Sequence, residues 1–99
     1  MAHFDNEALG LSFDLPDEPN ALEIIKYDSK RLEMYGEPAL VILWECIKPL
    51  ILNWDCEHLP DYKVNLEKVK SLKAAQAVEF AAMRGVDWRA SLDEVPKNS

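Results

Sequence analysis

Residues 39–54 read Ala-Leu-Val-Ile-Leu-Trp-Glu-Cys-Ile-Lys-Pro-Leu-Ile-Leu-Asn-Trp, and the reading of this stretch decides the fold. Twelve of its sixteen side chains are apolar, the densest such run in the chain. Pro38 opens it, and proline suits a first helical turn, where its missing N–H has no partner to lose. A helix of this length reaches roughly 24 Å, about the width of a small domain. Being apolar on nearly every side, it reads as a helix enclosed by others. Each such side chain contributes roughly 1.5–3 kcal/mol on burial, before ordering entropy is subtracted. Pro49 should kink or end the helix, because it lacks the N–H that would bond back to Glu45. The expectation is one helix over 38–47, a bend, and helix again to about Trp54. A membrane span is the weaker reading, since the run falls short of about 20 residues and Glu45, Lys48 and Pro49 interrupt it.

Outward from this axle, the flanks read as wrapping. Asn20 followed by Glu23 has the spacing of a helix cap, and the helix it starts would turn Leu22, Ile25, Leu32 and Tyr35 inward until Gly36 ends it. On the other side, Asn65 caps a predicted helix over 66–84 ended by Gly85. Its Ala74, Ala75, Ala77, Ala81 and Ala82 would let it pack closely on the central helix. Asp87 is a plausible cap for a last short helical turn carrying Trp88 and Leu92, stopped by Val95-Pro96. The N-terminal stretch alternates Leu9, Leu11, Phe13 and Leu15 with small or polar residues, the period-two signal of a half-buried strand. Pro16 and Pro19 close it. The reading is an extended arm over 1–19, lying on the domain or on a neighbouring subunit, with a paired strand as the other possibility. The fold class expected is therefore mainly α: three to four helices around a central apolar helix (about 38–54), a helical domain over 20–95, and a mobile tail over 96–99.

Composition narrows function by exclusion. Ninety-nine residues make one small domain with one core. A net charge of −7 argues against nucleic acid and anionic membranes as partners, because neither attracts it. Two cysteines, Cys46 and Cys56, are too few for a disulfide scaffold, and no basic leader precedes an apolar run; a reducing cytoplasm is the expected compartment. Cys56, His58, Cys46 and His3 lack the paired spacing of a structural zinc site, so neither metal nor cofactor is expected. Cys56 and His58 lie close in sequence, but no third group or glycine-rich turn joins them, and enzymatic activity is not expected. The carboxylate pairs Asp17/Glu18, Asp55/Glu57 and Asp93/Glu94 fall in predicted loops and tails, where solvated charge is the default.

The tryptophans Trp44, Trp54 and Trp88 say more. An indole N–H wants a partner, so tryptophan cements cores or marks protein-binding patches. Trp54, Trp88 and the edge formed by Leu11, Phe13 and Leu15 are the candidate protein-binding residues. Basic residues at 63–73 set against acidic ends could orient subunits head to tail, or could be a plain solvated face.

Two stretches carry a resemblance: Asn53-Trp54-Asp55-Cys56-Glu57-His58-Leu59-Pro60-Asp61, and Trp88 followed by Leu92-Asp93-Glu94-Val95-Pro96-Lys97-Asn98. With Leu11-Ser12-Phe13-Asp14-Leu15-Pro16-Asp17-Glu18-Pro19, they resemble the small tail assembly chaperones of long-tailed bacteriophages, over residues 9–98. The resemblance implies a mostly helical, non-enzymatic cytoplasmic protein. Its partners would be a long helical tape-measure protein, which it keeps soluble, and tail-tube subunits; homo-oligomers are possible. Many members have a longer form made by frameshifting, and Pro96-Lys97-Asn98 can be encoded by a slippery run. A generic acidic helical adaptor, homodimer or inhibitor is the alternative.

Overall fold

The computed structural model describes residues 1–94; the expected tail over 96–99 and the stop at Val95-Pro96 lie outside them. Among the described residues are three α-helices and a three-stranded antiparallel sheet, so the fold is α+β and the mainly α expectation is corrected.

The N-terminal stretch is part of the fold rather than an arm. Strands β1 (Ala2–Asn6) and β2 (Leu11–Leu15) form a hairpin in which Phe4 stands opposite Phe13 and Asn6 opposite Leu11. A single 3-10 turn, Glu7–Leu9, joins them. The Asn6 side chain accepts from Leu9 N–H, and Gly10 takes the left-handed conformation (φ 57°) that closes the turn. Alternation then does what period two requires: Leu11, Phe13 and Leu15 are buried while Ser12 and Asp14 stand on the outer face.

The central apolar stretch divides at Pro49. Helix α2 covers Ala39–Ile47, the chain tightens into a 3-10 turn over Lys48–Leu50, and Ile51 is already extended. The expected helix to Trp54 is replaced by strand β3 (Leu52–Cys56), which pairs antiparallel with β2 and leaves β2 central in the order β1-β2-β3. The register is interrupted at Asn53 and Trp54, which together face Phe13. Asn53 adopts φ 53°, a left-handed conformation that asparagine tolerates better than most side chains.

Helix α1 (Ala21–Glu33) begins with the reciprocal cap its sequence indicates: Glu23 N–H donates to the Asn20 side chain at 2.8 Å, and Asn20 N–H to Glu23 Oε1 at 3.0 Å. Helix α3 runs Leu72–Ser91, six residues later in start and seven later in end than expected. Asn65 caps only the 3-10 turn Leu66–Lys68; Ser71 caps α3, its Oγ accepting from Ala74 N–H. Gly85 lies within α3, and Trp88 belongs to that same helix. Ala74, Ala77, Ala81 and Gly85 form the buried stripe by which α3 packs against α2. The inner face of the sheet and the buried faces of α2 and α3 share one core.

Candidate protein-binding surfaces

The structure moves most of the expected binding residues inside. Leu11, Phe13, Leu15 and Trp88 are buried, and Trp54 is half-buried, so none offers the open apolar patch that the alternation and the tryptophan count suggested. Phe13 and Leu15 have no exposed surface at all. Trp54 sits between Phe13, Trp44 and Tyr62, with ring centroids at 5.7, 5.8 and 5.4 Å, and donates its indole N–H to the Leu59 carbonyl at 2.7 Å. Trp88 donates to the Pro16 carbonyl at 2.7 Å and packs on Tyr27 in a T-shaped pair with ring centroids 5.9 Å apart. These contacts satisfy the polar handle of each indole and use its ring as cement.

The residues considered for catalysis are equally engaged. Cys56 is buried, with Sγ 3.9 Å from the Leu9 carbonyl oxygen, and His58 lies 4.0 Å from the Glu57 carboxylate. Burial pushes the Cys46 thiol above its ordinary pKa. Among the described residues, no group of three or more His, Cys, Asp or Glu side chains is placed to hold a metal ion. No helix of the described residues is long and apolar enough to cross a membrane.

Apolar surface lies instead where α1 and α2 face outward. Tyr27 is the sole buried residue of α1, and the four side chains expected to turn inward are open: Leu22 is 58% exposed, Ile25 59%, Leu32 80% and Tyr35 93%. The helix is held by the other side. Tyr27 packs on Trp88, and the next residue, Asp28, takes a two-pronged grip from Arg89, with Nε and Nη2 each 3.0 Å from a carboxylate oxygen. Those hydrogen bonds, with the Arg89 charge, hold the Asp28 carboxyl below its usual pKa against a smaller desolvation effect.

A cleft of about 640 Å³ runs between α2 and α3 beneath residues 63–71. Leu40, Val41, Trp44, Leu66, Val69 and Val78 make its apolar lining, with Val41 43% and Leu66 37% exposed. Lys48, Lys63, Glu67 and Glu79 give it a mixed charged rim, Lys48 being paired with Glu45 at 3.0 Å. The Trp44 indole N–H is buried without an acceptor among the described residues, a cost of roughly 1–3 kcal/mol within the cleft's wall. Leu66 and Val69 fall inside the helix expected over 66–84, so the sequence gives no sign that the chain before Ser71 overhangs this cleft.

No protein-family model, no curated protein and no solved structure matches the chain.

Proposed function

We propose that this chain is a non-catalytic protein-binding module that holds an amphipathic helical segment of a client in the cleft between α2 and α3. The cleft carries the reading. It is apolar along its lining and rimmed by charges of both signs, which is the complement of a helix with one apolar face and polar flanks. In the form suggested by the resemblance to phage tail assembly chaperones, the client is a long tape-measure protein kept soluble until tail-tube subunits replace the chaperone. Many weak sites along one such client add up through effective concentration rather than through any single tight contact.

Co-expression with a long amphipathic-helix client tests this. The parent chain is expected to carry the client into the soluble fraction, and Val41→Glu, a change at a partly exposed residue of the cleft, to lose most of that effect while its own circular dichroism stays unchanged. Equal client solubility with the parent, with Val41→Glu and with no chain at all would refute the reading.

A further inference from the structure

We propose that two copies of this chain pair through α1, antiparallel about a two-fold axis that passes beside Tyr27. The pairing stands independently of what occupies the cleft. Leu22, Ile25, Ser29 and Leu32 recur at intervals of three and four, which is the seam of a two-helix coil, and all four are exposed. The opposite face of the helix is already committed to the core through Tyr27 and Asp28. In the antiparallel alignment Leu22 meets Leu32 of the second copy and Ile25 meets Ser29, so every apolar seam residue is covered, and the small Ser29 lets the helices approach.

Charge selects both the partner and the direction. The chain carries −7, yet the six charges of α1 (Glu23, Lys26, Asp28, Lys30, Arg31 and Glu33) cancel, so this surface adds no like-charge repulsion of its own when two copies meet. On one flank of the seam, the antiparallel alignment sets Lys26 against Glu33 of the second copy, and Glu33 against its Lys26. On the other flank the two Asp28 residues approach, but each is already neutralised by its own Arg89. A parallel alignment would instead put Asp28 against Glu33, two acids, and leave Lys26 facing Ala21. The stripe is only about three turns long, well short of the roughly 800 Å² per partner of a standard stable interface, so the dimer is a reversible one.

Sedimentation velocity of the full chain over a range of concentration reads this directly. The parent is expected to shift from monomer to dimer with rising concentration, and Leu32→Glu to remain monomeric with unchanged circular dichroism. Lys26→Glu should weaken association several-fold, and the double variant Lys26→Glu/Glu33→Lys should restore it, because the swapped pair is again complementary. A parent that stays monomeric throughout, leaving the stripe to a foreign helix, overturns the proposal. So does a dimer that Leu32→Glu leaves intact, or a double variant no stronger than the single one.

Discussion

Gly85 of α3 lies directly against Ile47 of α2: a Cβ built on the glycine would come within 2.6 Å of Ile47 Cδ1 and 3.3 Å of its Cβ. Alanine normally gains about 1 kcal/mol over glycine in a helix interior. Here the methyl group fits only if the fully buried Ile47 side chain shifts, and overpacking a close-packed core costs about 1–3 kcal/mol. Gly85→Ala is therefore expected to lower stability in urea unfolding. Ile47→Val removes the Cδ1 atom that the new methyl group would strike, so the double variant should recover part of the loss. A Gly85→Ala protein more stable than its parent would show that the two helices are not in this contact.

The Arg89–Asp28 fork fastens α1 to α3 at a point where only Tyr27 otherwise reaches the core. Its side chains are partly exposed, so Arg89→Met should cost no more than about 1 kcal/mol of global stability. Locally the effect is larger. With the fork gone, α1 should open several times more often, and its amide hydrogens should exchange correspondingly faster while the buried face of α3 keeps its protection. Uniform acceleration across α1 and α3 would mean that the fork serves the whole fold.

The sequence carried the local part of this architecture and missed the part that depends on distant partners. The Asn20–Glu23 cap, the apolar helix before Pro49 and the alternation through Leu15 are set by neighbours a few residues away. Strand β3 has no such local signature: the bulge at Asn53 and Trp54 sets Leu52 opposite the outward Asp14 and Cys56 opposite the buried Leu11, so its apolar residues do not share one face, and the apolar density around Pro49 favours continued helix. Glycine's low helix propensity marks Gly85 as a terminator, whereas in the structure it lies within α3 and admits Ile47. The largest error concerned α1. Periodicity shows that Leu22, Ile25 and Leu32 share a face, but which face turns inward is decided by Trp88 and Arg89, some 61 residues away. The same non-local packing took Leu11, Phe13, Leu15 and Trp88 into the core and left the α2–α3 cleft unforeseen.

Acid should loosen the sheet through Asp14. Its carboxylate accepts from the Asn53 amide at 2.7 Å and lies 2.6 Å from His3 Nδ1, so one side chain on β2 ties together all three strands. The Asn53 hydrogen bond first, and the His3 contact second, hold the Asp14 pKa below its ordinary value. A depressed folded-state pKa contributes stability that is complete above the unfolded value, near 3.9, and is lost as pH falls through the folded one. The stability gap between the parent and Asp14→Asn should therefore narrow on going below about pH 4. Asn53→Gly and Asn53→Ala should both weaken that acid dependence, with Ala costing more at neutral pH because it also strains the left-handed backbone. A gap that widens on acidification would contradict the assignment.

Phe13 separates a core role from a binding role. It is fully buried and stacks on Phe4 at 5.3 Å, with Trp54 on its other side at 5.7 Å. Phe13→Ala should destabilise the fold by about 3–5 kcal/mol, a large fraction of what a small domain has. A thermal melt reads this: loss of cooperative unfolding, or a much lower midpoint, is the expected result. A variant that melts like its parent yet fails to solubilise a helical client would return Phe13 to the binding surface.

The two thiols test the core and the non-catalytic reading together. Cys46 and Cys56 are both buried, and burial raises the Cys46 pKa, so at neutral pH that thiol is both shielded and protonated. Thiolate is the reactive form, and a catalytic cysteine needs the reverse on each count, an accessible group with a lowered pKa. In the folded protein an aromatic disulfide reagent should therefore react only through rare openings, at a rate that rises as denaturant makes opening more frequent. The Cys46→Ala and Cys56→Ala variants assign the two reactions. Because Cys56 lies on β3 and Cys46 on α2, similar rates for both would indicate that sheet and helix open together as one unit. Rapid stoichiometric modification of Cys56 in the native protein would instead place a reactive thiol on β3 and count against the non-catalytic proposal.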